Sequence, residues 1–130
     1  MTPEQKLKWA VLAKVAAWGQ DRLVPDYPCP NVDDLWEQLA ENEEDALQDA
    51  KSEIRSSGVE TKLKCDWSRH YESKAVAMQF PDGSWVGWTY WYGGGKHGEP
   101  NSIDWMDYAY DVLCSEEQKV VTVQTFSKAE

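Results

Sequence analysis

The segment Trp85-Val86-Gly87-Trp88-Thr89-Tyr90-Trp91-Tyr92 constrains the fold more than any other part of the chain. Side chains alternate across a strand with a period of two, so this run puts rings on both faces. Trp85 and Trp91 fall on one side with Gly87 and Thr89; Val86, Trp88, Tyr90 and Tyr92 fall on the other. A strand that is apolar on both sides needs cover on both sides. Helices can supply one cover. The other must come from the loop at 93–107, from a partner or from a ligand. Just upstream, Pro81-Asp82-Gly83-Ser84 has turn chemistry. A strand over about Lys74–Phe80 leads into it, so a hairpin across 81–84 is expected. Gly93-Gly94-Gly95-Lys96-His97-Gly98-Glu99-Pro100 then ends regular structure.

The upstream half has helical periodicity. Thr2-Pro3-Glu4 is a start signal, with Thr2 as N-cap and Pro3 at the first helical position. Leu7, Val11, Val15 and Trp18 follow at helical spacing, and Gly19 is a stop, which predicts a helix over about 3–18. Pro25, Pro28 and Pro30 make residues 20–31 an irregular connector. Asn31 is placed to cap a second helix, with Asp33 and Asp34 at its positive end. Leu35, Leu39, Ala46, Ala50 and Ile54 share one face, and Gly58 closes the helix. Glu43 falls on that same apolar side, so either the helix breaks near Asn42 or its middle overhangs solvent.

From Val59 the period is two. Val59, Thr61, Leu63, Cys65 and Trp67 alternate with polar residues, which predicts a half-buried strand with Cys65 as a small core residue. After the glycines, Ser102 can cap a helical turn at Ile103–Asp107. Tyr108–Cys114 and Lys119–Phe126 suggest a final hairpin; a helix through 102–113 is the competing reading. The expected fold is α+β: two N-terminal helices packed on a mostly antiparallel sheet of about four to five strands. The 130 residues suit a single domain, helical over about 3–57 and β-rich over about 59–127.

Familiar catalytic and ligand motifs are incomplete. Lys96 is followed by His97 rather than Ser or Thr, and a Walker A spacing would put its first glycine at Tyr90. His97-Gly98-Glu99 matches half of the zinc-deaminase signature, but the downstream P-C-x-x-C half is missing. Cys65, Cys114, His70 and His97 lack the close spacing of zinc ligands. No nucleophile elbow supports a cysteine nucleophile. Asp104, Asp107 and Asp111 would line one face if 102–113 were helical. Their bland reading is a solvated face. No catalytic residue, metal or cofactor is therefore expected.

Charge is the other strong signal. The net charge is −10, which disfavours direct binding to nucleic acid or to anionic membranes. Asp33 to Glu53 contains nine acidic residues and one basic residue, Lys51. Asp34, Glu37, Glu41, Glu44 and Asp45 fall opposite the apolar stripe. Like charges four residues apart weaken a helix by about 0.2–0.5 kcal/mol per pair. Such a face is either merely solvated or meant for a basic partner. Three widely spaced cysteines make a poor disulfide framework. Lys6, Lys8 and Lys14 interrupt the apolar residues near the N-terminus, against a signal peptide or membrane span. The expected compartment is the cytoplasm.

The run Trp85–Pro100, with Ile103-Asp104-Trp105 after it, resembles short uncharacterised proteins of phages and prophages. The resemblance covers the chain from about Cys65 and carries no activity to transfer. It implies an accessory protein of a mobile element, acting in a bacterial cytoplasm on host machinery. Three functional expectations follow. The leading one is a non-enzymatic inhibitor, of the anti-restriction or anti-CRISPR kind, whose acidic face occupies a basic, nucleic-acid-binding site on a host protein. The second is a small-ligand module or enzyme at Gly93–Glu99, with Trp85, Trp88 and Trp91 as walls and Lys96 and His97 as contacts. The third is a homo-oligomer sealed by the aromatic sheet face.

Overall fold

The computed structural model describes residues 1–19, 23–94, 100, 103–116 and 124–129. Three helices precede a four-stranded antiparallel sheet, so the chain is α+β. Helix α1 spans Pro3–Trp18, α2 Val32–Asn42 and α3 Glu44–Arg55. The strands are β1 Val59–Glu60, β2 Glu72–Gln79, β3 Trp85–Tyr92 and β4 Tyr110–Val112, in that spatial order.

Helix α1 starts as its sequence dictates. Thr2 Oγ1 accepts from the Gln5 backbone N–H at 3.2 Å, and Gln5 Oε1 accepts from the Thr2 N–H at 2.9 Å. This reciprocal pair satisfies two donors that the first turn would otherwise leave open. Leu7, Ala10, Val11, Leu12, Val15 and Ala16 are buried. They lie on several sides of the helix, as a helix covered from more than one direction requires. Accordingly α1 touches α2, α3, β3 and β4. Trp18, expected in the buried stripe, is 49% exposed at the helix end.

The second helical stretch breaks at Glu43, whose φ of −149° and ψ of 57° are not helical. The break lets Leu39 on α2 and Leu47, Ala50 and Ile54 on α3 reach the same core without burying the Glu43 carboxylate. Asn31 stands at the N-cap of α2 but its side chain makes no capping bond. It accepts instead from the Cys29 thiol at 3.3 Å.

The 81–84 hairpin forms as expected. The Phe80 N–H donates to the Ser84 carbonyl at 2.9 Å, and Gly83 takes a φ of +84°, a left-handed value suited to glycine. Directly opposed residues share a face, so Val76 with Trp88, and Met78 with Val86, form the side that joins the helices in the core. Trp88 is fully buried there and meets the Trp105 ring at 5.3 Å between centroids. Removing an aromatic ring from such a place costs about 3–5 kcal/mol, so Trp88 is a principal holder of helices to sheet.

The opposite face is covered differently from the sequence expectation. Trp105 and Met106 of the 93–107 loop join the helix-side core, not the second face. That face carries the small residues Ala75, Ala77 and Gly87, all buried. A Cβ on Gly87 would lie 2.7 Å from Tyr110 Cε2 and 2.7 Å from Val112 Cγ2, so β4 side chains occupy the space that glycine leaves.

Two further expectations are corrected, and a third is described only in part. The alternating run from Val59 pairs only at Val59 and Glu60, with one more bond from the Thr61 N–H to the Ala75 carbonyl. Lys62 then turns to a φ of +63°, and Trp67 is 84% exposed. Residues 103–107 form no helix, so Asp104, Asp107 and Asp111 do not line a helical face. Of the final hairpin, Tyr110–Val112 is strand, 124–126 is not, and 119–123 lies outside the described residues, as does Ser102.

Candidate functional site

Asp34, Glu37 and Glu41 stand three and four residues apart on α2, which places them on one face of the helix. Glu44 and Asp45 open α3, where the helix dipole favours negative charge. All five are exposed. Among the described residues the ion pairs are Lys6 with Asp111 and Lys8 with Glu4 and Asp33, so none of the five is neutralised by a cation. Asp33 is set apart from them. It accepts from Gln5 Nε2 and from Lys8 Nζ, each at 3.0 Å, and these donors, Gln5 foremost, hold its carboxyl below the usual range. Lys8 itself keeps a raised pKa: burial acts to lower it, and bonds and charge from Asp33 and Glu4 outweigh that.

Beside this acidic face runs an apolar groove that sequence reasoning missed. It is an open groove of about 380 Å³ whose apolar lining comes from Leu12 and Val15 of α1, Leu23 of the connector, and Leu35 and Leu39 of α2. The connector is pinned at two points. Trp9 Nε1 donates to the Pro25 carbonyl at 3.0 Å, and the Tyr27 hydroxyl donates to Asp82 at 2.9 Å. The Tyr27 ring also stacks on Phe80 and meets Trp9 edge-on. The connector passes the groove with Leu23 93% exposed. At 100° per residue, turning outward around α2 from Leu35 meets Asn42 and Gln38, then Asp34 and Glu41, then Glu37. Groove and carboxylates are thus adjacent strips of one surface. Leu23 stands beside Val24 in a connector with no periodicity, so two adjacent apolar residues ahead of Pro25 are the one sequence signal for it.

The three tryptophans expected to wall a ligand site stand on two faces of β3. Trp88 is buried on the helix side, whereas Trp85 and Trp91 face the other way, with Trp91 only 9% exposed. Lys96 and His97 lie outside the described residues. At the end of β3, Gly93 and Gly94 take φ of +75° and +88°. A Cβ on Gly94 would come within 2.4 Å of the Tyr71 ring, so a side chain there is excluded twice over.

A second feature that the sequence did not disclose is buried Arg55. Its Nη2 donates to the Trp91 carbonyl, in the part of β3 that β4 does not reach, and its guanidinium lies 4.6 Å from the Tyr90 ring centre. Trp88 Nε1 donates in turn to the Arg55 carbonyl at 3.1 Å. Burial pulls the Arg55 pKa down, and Tyr90 opposes it. Lys74 sits over the Tyr90 and Tyr92 rings at 5.6 and 5.8 Å. This cationic and aromatic corner holds α3 to the sheet and blunts an open strand edge.

Cys29, Cys65 and Cys114 are all free thiols. Cys65 is half-buried, donates to Ser73 Oγ at 3.4 Å, and lies near the Tyr110 phenol, whose pKa is raised chiefly by burial. Among the described residues no group of three or more His, Cys, Asp or Glu is placed to hold a metal ion, and no helix is long and apolar enough to cross a membrane. Comparison with known proteins finds no matching family model, no matching curated protein and no matching solved structure.

Proposed function

We propose that the chain is a non-enzymatic interaction protein whose acidic face occupies a basic, nucleic-acid-binding site on a partner protein. The observation that carries this reading is the set Asp34, Glu37, Glu41, Glu44 and Asp45: all exposed, clustered on α2 and the start of α3, and without ion pairs among the described residues. Unpaired carboxylates at this density oppose one another, so folding alone does not favour them. Opposite a cationic groove the same charges speed encounter and fix orientation. The sequence resemblance to phage and prophage proteins suggests a host target in the bacterial cytoplasm, and inhibition of a restriction or CRISPR nuclease is the concrete form of the proposal.

The test is capture from bacterial extract at low and high salt, followed by competition with duplex DNA for the captured partner. Capture is expected to fall at least tenfold by 0.5 M salt, on the order expected when several charge contacts are screened. DNA and the protein should exclude each other. The triple variant Glu37→Lys, Glu41→Lys, Glu44→Lys should capture nothing above background; unchanged capture by that variant would sink the proposal.

A further inference from the structure

The groove between α1 and α2 and the acidic face beside it form one two-sided surface, and we infer that it docks a basic amphipathic helix of the partner. The inference rests on the proposed acidic-face reading and deepens it by naming the shape of what binds. Leu12, Val15, Leu35 and Leu39 make an apolar floor with Leu23 standing exposed at its edge, and Gln38, Asn42 and Glu43 border it on the acidic side. A volume of about 380 Å³ is near the low end for small-molecule sites, which span ~300–1,000 Å³. It suits a few inserted side chains rather than an enclosed ligand.

Around α2 the surface passes from Leu35 through Gln38 to Asp34, Glu41 and Glu37, from apolar to acidic within less than one helical turn of angle. An occupant must match both strips at once. An extended basic strand presents alternate residues to opposite sides and cannot offer parallel apolar and cationic strips along one edge. A helix with apolar anchors at i, i+3, i+4 and i+7 and lysine or arginine next to them does so directly. Helices that enter the DNA major groove are commonly basic, which ties this occupant to the proposed target.

The test uses two labelled synthetic peptides of identical leucine and lysine composition. One has leucines at i, i+3, i+4 and i+7 spacing; the other has them at alternate positions. Affinity is read by fluorescence anisotropy against the full chain. The helical peptide is expected to bind at least tenfold tighter, and Leu23→Ser, which leaves the charge and the buried floor intact, should weaken it at least threefold. Leu35→Lys should abolish the preference, with circular dichroism verifying its fold. Equal binding of the two peptides, absence of binding, or indifference to Leu23→Ser would overturn the groove assignment. If both peptides bind equally and both are lost in the triple charge-reversal variant, the acidic-face reading stands and the groove falls. If neither responds to charge reversal, both fall. A dimer in sedimentation that Leu23→Ser dissociates would assign the groove to a second copy of this chain and overturn the inference.

Discussion

Asp82 shows how one carboxylate shapes both a turn and a connector. It accepts from the Ser84 backbone N–H at 2.9 Å and from the Ser84 hydroxyl at 2.6 Å. Its other oxygen accepts from Tyr27 at 2.9 Å, tying the proline-rich connector to the hairpin. Bonds from Ser84 favour the ionised form and draw its pKa from an ordinary 3.8 to about 2. The folded value is depressed, so the stabilisation is present above the unfolded value and is lost as pH falls from about 4 to about 2. Asp82→Asn keeps an acceptor oxygen and cannot titrate. Urea titrations at pH 5, 3 and 2 should therefore show a shallower acid loss for Asp82→Asn than for the natural chain. Parallel acid limbs would show that this carboxylate does not stabilise the turn through its charge.

At the level of elements, the two helix starts provide a contrast between capping by position and capping by bond. Thr2 and Asn31 both belong to the residue types that favour N-caps, yet only the Thr2 side chain bonds to its helix. Thr2→Ala should cost about 1 kcal/mol, the usual worth of such a cap. Asn31→Ala should cost less than half as much, since its partner is a weakly donating thiol. Equal losses in thermal or urea unfolding would contradict the bonding seen at these ends. The same distinction explains what could be read beforehand. Helix α1 was legible from its Thr2 cap, Pro3 start and Gly19 stop, and the hairpin and β3 from turn chemistry beside a run of β-favouring aromatic residues. The run from Val59 to Trp67 has strand alternation but finds a partner only at its first residues, and alternation cannot report a missing partner. Of the candidate site, the carboxylates were legible from charge and helical phase. The groove was not, because it depends on how the connector is pinned by bonds between residues distant in sequence, Trp9 with Pro25 and Tyr27 with Asp82. Arg55 was hidden for a similar reason: nothing in a helix-terminal arginine announces an aromatic ring and a strand carbonyl waiting across the core.

For the whole molecule, the balance of charge has a measurable consequence. The net charge is −10, and the ion pairs among the described residues all involve Lys6 or Lys8 of α1. On α2 and α3, Glu37 with Glu41, Asp45 with Asp49 and Asp49 with Glu53 are like charges four residues apart. Each such pair opposes its helix by about 0.2–0.5 kcal/mol at low salt. Screening shortens the reach of exposed charges to about 10 Å at 0.1 M salt. Stability should therefore rise by about 0.5–1 kcal/mol between 0.02 and 0.5 M sodium chloride as these repulsions are screened. Salt also strengthens apolar burial, so the variant Glu41→Gln, Asp49→Asn, which removes all three like-charge pairs without adding a cation, separates the two effects. It should be at least as stable as the natural chain at low salt and gain less from added salt. A natural chain that loses stability with salt would mean that favourable pairs dominate, and the acidic face would then be explained by folding. A variant that folds more stably while failing to capture a partner would place the cost in the fold and the benefit in binding. That pattern is expected of a surface retained for recognition rather than for stability.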